Sequence, residues 1–287
     1  MTGGVLYVVA TPIGNLEDLS PRALRILGEV DLIAAEDTRR TRALLTHHGL
    51  RRPLTSYYDA VERERAPALA RRLQEGARVA LVSDAGTPGL SDPGFHLVRA
   101  ALEAGVPVVP VPGPSAVTAL LSVAGIPCER FAFEGFLPSR AGPRRRRLEQ
   151  VRDEARALVF LEAGRRLPAF LAAAADVLGD RPAVVGRELT KRHEEILRGR
   201  LPELATQVAG RESVRGEVTV LVAGRAEAAP ARAAHDDLDE RIRALRRDGA
   251  SLRDLAARLA RELGLPRRTV YQRALALEGR APHQSST

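Results

Sequence analysis

Short apolar runs alternate with amphipathic stretches along most of this chain. VLYVVA (5–10), DLIAAE (31–36), RVALVS (78–83) and VPVVPV (106–111) lack a polar face, which predicts strands buried on both sides. Between them, residues 20–28, 41–49, 60–75 and 93–105 carry helical spacing, and the last three end at or beside a glycine. Strands and helices in this order imply a mostly parallel sheet covered on both faces. After Pro127 the rhythm resumes. FAFEGF (131–136), ALVFLE (157–162), AVVGRE (183–188) and EVTVLVAG (217–224) read as strands, with helices at 144–154, 165–178 and 201–212. The chain is therefore expected to be α/β, with one α/β domain over 1–115 and a second over 116–225. AEAAPARAAHDD (226–237) is small, polar and proline-bearing and reads as a linker. Residues 238–287 form a small C-terminal helical domain, broken at Gly249 and Gly264.

Composition narrows the setting. The 287 residues are 45% apolar and 28% charged, ordinary values for a globular protein. No apolar run reaches the roughly 18 residues of a membrane helix, and the N-terminus lacks a basic segment ahead of an apolar one. Cys128 is the only cysteine, so neither an internal disulfide nor a cysteine-based zinc site is possible. A cytoplasmic protein is expected. The net charge of +8 and pI near 10.7 favour a polyanionic partner such as nucleic acid. Of the 44 basic residues only Lys191 is a lysine. Arginine cannot replace lysine where a compact or titratable amine is needed.

Four loops follow the predicted strands: TPIGN (11–15), EDTRRT (36–41), SDAGTPGLSDPG (83–94) and PGPSA (112–116). In an open parallel sheet, ligands bind beyond the carboxyl ends of the strands. Glycines there let backbone approach a ligand, and prolines fix the loop without one. A ligand pocket is the expectation, with Asp84 as a hydrogen-bond acceptor. Ser91 or Asp92 is expected to cap the helix starting near Pro93. Glu36 and Asp37 are candidates to face the pocket as acid–base groups, although Asp37 or Thr38 also suits helix capping. Lys191, just past a strand of the second domain, is a candidate base or polarising cation. The adjacent His47 and His48 are expected to be exposed at a helix end. RAGPRRRR (140–147) is the densest basic run, lies between a strand and a helix, and is expected to meet phosphate. No dinucleotide or P-loop signature is present, and no dense metal-ligand cluster, so no metal is expected.

TPIGNLEDLSPRAL, DLIAAEDTRRT, LVSDAGTPGLSDPG, VPVPGPSA, FEGFLP and RELTK, in this order, resemble the tetrapyrrole methylase superfamily. Within it they resemble the branch that methylates small-subunit ribosomal RNA. The resemblance runs from about residue 5 to 224. It implies a two-domain tetrapyrrole-methylase-like fold, usually homodimeric, and S-adenosyl-L-methionine as donor. It also implies a cytidine ribose 2′-hydroxyl in the decoding region as acceptor, in free RNA or the assembled small subunit. Carried over, the donor contacts fall on Ile13, Asp84, Gly86, Thr87, Ser115, Ala116, Leu161 and Leu189. RNA contacts would fall on Arg39, Arg40, Arg144, Arg145, Arg146 and Arg147. The sequence departs from the pattern at FLEAGRRL, where Leu161 replaces a tyrosine and Arg165 a histidine. It departs again at Tyr58-Asp59-Ala60-Val61-Glu62, where an asparagine is lost. Two alternatives stay open. One is methylation of a tetrapyrrole or other small acceptor. The other is a DNA-binding regulator, since DLAARLARELGLPRRTVYQRAL (254–275) reads like a helix-turn-helix.

Overall fold

The computed structural model of the chain describes residues 3–225, 230–263 and 267–277. Within them lie two units, 1–225 and 226–287.

The first unit contains two five-stranded sheets. One is built from β1 (Val5–Val9), β2 (Leu32–Ala35), β3 (Leu54–Ser56), β4 (Arg78–Val82) and β5 (Val108–Val111). Its order is β3-β2-β4-β1-β5 and every pairing is parallel. All four residues of β2 are buried, as its uniform apolar run requires. On one face, α1 (Pro21–Glu29) and α2 (Thr38–His47) pack against Val9, Ile33 and Val82. On the other, α3 (Asp59–Gln74) and α4 (Phe95–Glu103) pack against Leu6, Ala34 and Leu81. Local chemistry sets the helix starts. Ser20 caps α1 by accepting from the Ala23 amide, with Pro21 at the first helical position. Asp37 accepts from the Arg39 amide, so α2 begins at Thr38 rather than 41. The expected cap of α4 by Ser91 or Asp92 does not form. Gly94 precedes the helix with φ of 149°, and its amide donates to Glu62 Oε2 at 3.0 Å.

The second sheet contains β6 (Phe131–Phe136), β7 (Ala157–Ala163), β8 (Pro182–Arg187), β9 (Glu195–Arg200) and β10 (Glu217–Val222), in the order β6-β7-β10-β8-β9. Only β6 and β7 are parallel; the other three pairings are antiparallel, against the expectation of a mostly parallel sheet. The reversal comes from β9, which returns directly beside β8 without a crossover helix. One face carries α6 (Ala141–Gln150), α7 (Leu167–Leu178) and α8 (Leu201–Ala209) on Leu158, Phe160 and Val220. The opposite face takes α5 (Ala116–Val123), whose Val117 and Leu120 pack with Val159, Val184 and Leu221. RAGPRRRR is mostly helix: α6 starts at Ala141, ahead of the expected 144, and Pro143 sits in its first turn, where proline is tolerated.

The second unit consists of α9 (Pro230–Arg247), α10 (Leu252–Leu263) and α11 (Arg267–Leu277). Leu238, Ile242, Leu255, Leu259, Val270 and Ala274 form its core. Arg273 grips the Asp239 carboxylate with two hydrogen bonds of 2.8 and 2.7 Å. Helix α9 starts inside the stretch expected as linker. Gly264, assigned to the helix-turn-helix turn, lies outside the described residues.

Phe160 is fully buried on β7, edge-to-face with Phe170 at 5.2 Å. Phe160→Ala is expected to cost about 3–5 kcal/mol. Urea unfolding of the variant checks this as a lowered midpoint with an unchanged slope.

Candidate active site

The loops after β1 and β4 are clamped together. Thr11 and Gly86 exchange backbone hydrogen bonds of 2.8 and 3.0 Å, and Thr11 Oγ1 donates to the Ser83 carbonyl at 3.0 Å. Gly86 has φ of +82°, a conformation that suits glycine. On the second sheet, the β8–β9 connection carries two residues in the left-handed region, Glu188 (φ 51°) and Thr190 (φ 65°). Thr190 Oγ1 accepts from the Asn15 amide at 3.1 Å. Gly14 sits so close that an added Cβ would lie 2.3 Å from Lys191 Cγ. Two sheet ends are thereby joined over a cavity.

Ile13, Gly86, Thr87, Ser115, Ala116, Leu161, Leu189 and Lys191, all singled out from the sequence, line this cavity. Strand alternation explains Leu161. It shares a face with Val159, toward α5, and pairs with Thr219 of β10, which also lines the cavity. Glu162 carries its carboxylate on the opposite face, with Oε1 3.0 Å from Arg166 Nε. Ser115 precedes α5, yet its hydroxyl makes no capping bond.

Asp84, Glu36 and Asp37 are placed differently. Asp84 lines an adjoining cleft with Thr11, Arg40 and Leu44. Its carboxylate accepts from the Asp37 amide at 3.0 Å and lies 3.3 Å from Arg40, while its own amide donates to Glu36 Oε2 at 3.0 Å. Glu36 and Asp37, expected to face the pocket, do not line it. Glu36 is spent on the Asp84 amide. Asp37 caps α2 and grips the Arg39 guanidinium, which holds its carboxyl far below the usual range.

Lys191 lines both the cavity and the cleft. Its Nζ lies 2.8 Å from Glu188 and 3.0 Å from Glu217. Burial alone would lower its pKa, but the two carboxylates outweigh it and raise the value above that of ordinary lysine. This setting favours the charged ammonium over the neutral amine that a base would need.

The arginines divide sharply. Arg144, expected at phosphate, is buried, on the same α6 face as Leu148. Arg145 pairs with Glu149 and Asp176, and Arg147 with Glu134. Arg39 is held by Asp37 and Arg40 by Asp84. Arg146 is exposed, and no ion pair engages it among the described residues. His47 is exposed at the end of α2, as expected, and His48 is half-buried beside it.

Sequence reasoning missed the other lining residues, among them the polar Asp92, Glu162, Glu188, Glu217 and Thr219. Asp92 was hidden by its setting, since Asp-Pro-Gly before a helix reads as a cap. It is half-buried, and burial, aided by the Glu36 carboxylate, pushes its carboxyl up to about 7 against the lowering effect of the Ser83 hydroxyl.

The chain belongs to the tetrapyrrole (corrin/porphyrin) methylase family, whose model matches residues 5–205. Within that class it is 49% identical, over 98% of its own length and 100% of the relative's, to the ribosomal RNA small subunit methyltransferase I of Pseudomonas aeruginosa. It is 44% identical to the protein of the same name from Escherichia coli O157:H7, over 96% of each chain. Among solved structures it shares its fold with the uroporphyrin-III C-methyltransferase of Thermus thermophilus complexed with S-adenosylhomocysteine. That match has a TM-score of 0.54 and 23% identity, covering 78% of this chain and 98% of the other. Diphthine synthase shares the fold at a TM-score of 0.57 and 18% identity, over 77% and 90%.

Lys191→Met should lower stability at neutral pH by about 1 kcal/mol, since the ion pairs are partly exposed. The Glu188 carboxyl is held below its ordinary pKa despite burial, by the Lys191 ammonium and the Glu217 amide. The pair's contribution is therefore complete above about pH 4.5 and lost as pH falls through the depressed value. Melting curves at pH 7 and at about pH 3.5 should show the gap between wild type and variant closing at the lower pH.

Proposed function

We propose that this protein is an S-adenosyl-L-methionine-dependent methyltransferase that modifies the ribose 2′-hydroxyl of a cytidine in the decoding region of small-subunit ribosomal RNA. The observation that carries this reading is the near-full-length identity to enzymes named for methylating that RNA. The cavity suits the donor. Leu161 and Leu189 offer apolar walls for an adenine ring, and the uncommitted Ser115 hydroxyl offers a polar contact. Gly86 has only ordinary contacts around the position a Cβ would take, 3.5 Å from Ile13 and 3.7 Å from the Pro114 carbonyl. It is therefore retained for its left-handed backbone, which holds the loop against Thr11. Glu188 and Glu217, both paired with Lys191, border the space as well. Bound there, S-adenosylmethionine supplies an electrophilic methyl group.

The remaining work falls to the protein's own groups. The clamped loops fix the walls, so that the acceptor approaches in a restricted orientation, which supplies much of the rate in such reactions. Asp84, across the adjoining cleft, supports the donor by holding the loop that carries Gly86 and Thr87. Lys191 remains charged and interacts with an acceptor oxygen or a phosphate. RNA contacts are assigned to Arg146 and, on α2, to the outer faces of Arg39 and Arg40. The net charge of +8 favours RNA over a tetrapyrrole as acceptor. A lined donor cavity speaks against a purely DNA-binding regulator. Exposed Phe95 and Leu102, seven residues apart on α4, support a homodimer. No helix among the described residues is long and apolar enough to cross a membrane.

Purified protein with methyl-labelled donor should label small ribosomal subunits, at a cytidine ribose, and leave a corrinoid precursor unlabelled. Mapping of ribose methylation after the reaction checks both. Leu161→Arg should weaken donor binding at least tenfold by filling the apolar wall with a cation, which calorimetry measures. Arg146→Ala should weaken RNA binding and reduce the slope of log affinity against log salt by about one. Arg144→Ala should instead lower the melting temperature and leave that slope unchanged.

A further inference from the structure

The carboxylates around the cavity are not equivalent. Glu188 and Glu217 both pair with Lys191, and Glu162 faces Arg166. Asp92 alone among these lining acids has no cationic partner among the described residues. The groups that face it are Glu36 beyond β2, Asp84 and Ser83 at the end of β4, and Asp59 at the start of α3. Nearby, Glu62 of α3 holds the Gly94 amide and lies 3.8 Å from His96 of α4.

Its backbone setting is unusual as well. Ser91, immediately before it, has φ of 66°, which costs a non-glycine residue about 1 kcal/mol or more. The strained turn is held from two sides. Glu62 anchors Gly94, and β6 bulges at Gly135, where a Cβ would lie 3.0 Å from Ser91 Oγ. A costly loop, locked between the two sheets, thus sets one uncompensated carboxylate in the wall of the donor cavity.

We propose that Asp92 is the general base for methyl transfer, accepting the proton of the acceptor hydroxyl. The proposal rests on the reaction assigned above. As the hydroxyl O–H bond breaks, its proton passes to an Asp92 oxygen and the oxygen's electron pair forms the new bond to the methyl carbon. The carbon–sulfur bond breaks with its electron pair moving onto sulfur, which ends as a neutral thioether. The protonated carboxyl then releases its proton to solvent. A carboxyl held near neutrality suits this task, since a base works best with a pKa close to the working pH.

Single-turnover methylation of small subunits, at saturating donor and subunit, tests the assignment. Asp92→Asn should lower the rate about a hundredfold or more while donor affinity by calorimetry stays unchanged. The wild-type rate should rise through about pH 7 and then level, with that limb kept in Asp92→Glu and absent in Asp92→Asn. A second readout needs no activity. Because the folded carboxyl holds its proton to higher pH than the unfolded one, the contribution of Asp92 to stability should fall as pH rises from about 4 to about 7. Asp92→Asn should remove that decline. A wild-type rate in Asp92→Asn, a flat wild-type profile between about pH 5.5 and 8.5, or lost donor affinity in the variant would overturn the base. Wild-type protein that places no methyl on a cytidine ribose would overturn the reaction itself, and the base with it.

Discussion

The approach of Gly14 to the β8–β9 connection is the constraint on which the cavity depends. It brings the loop after β1, at the end of a parallel sheet, against a turn of a mostly antiparallel one, with no room for a single methyl group. Each side accepts a local cost. The first loop surrenders a side chain. The second adopts left-handed backbone at Glu188 and Thr190, a conformation non-glycine residues rarely take. What returns is a fixed separation between Ile13 on one side and Leu189 on the other, and a seat for Lys191 between Glu188 and Glu217.

A second principle is the separation of charge. The protein is strongly basic overall, yet its described cavity is bordered by acids. A basic exterior draws in a polyanion over long distances, whereas the local wall must tolerate a small cation at short range. Both requirements are met because most of the arginines noted around the site are neutralised locally, by Asp37, Asp84, Glu134, Glu149 or Asp176.

Much of this organisation was legible in the sequence. β2, β4 and β6 were clear because their apolar runs are short and bounded by turn residues. The donor loops were clear because four glycine- and proline-rich segments each follow a strand. β9 was not, since EILRGR is half-exposed and carries charges that mask its alternation. Nor was α5, whose AVTALLSV has no polar face because it lies between the loops and the second sheet. Strand direction in that sheet depends on which connections cross over, and local pattern carries no such signal. The run Arg144 to Arg147 was read as uniform, although helix phase distinguishes its members. Arg144 stands four residues before the buried Leu148 and follows it inward. Asp92 failed for the opposite reason, because a familiar local role concealed a tertiary one.

The single lysine has a practical corollary. Reagents that acylate primary amines can reach only one side chain in this protein, and that side chain lies at the mouth of the cavity. Its proton is tightly held between two carboxylates, so modification should be slow in the intact site and accelerate wherever Glu188 or Glu217 is drawn away. The chain therefore carries a built-in reporter of whether the seat of Lys191 between Glu188 and Glu217 is intact.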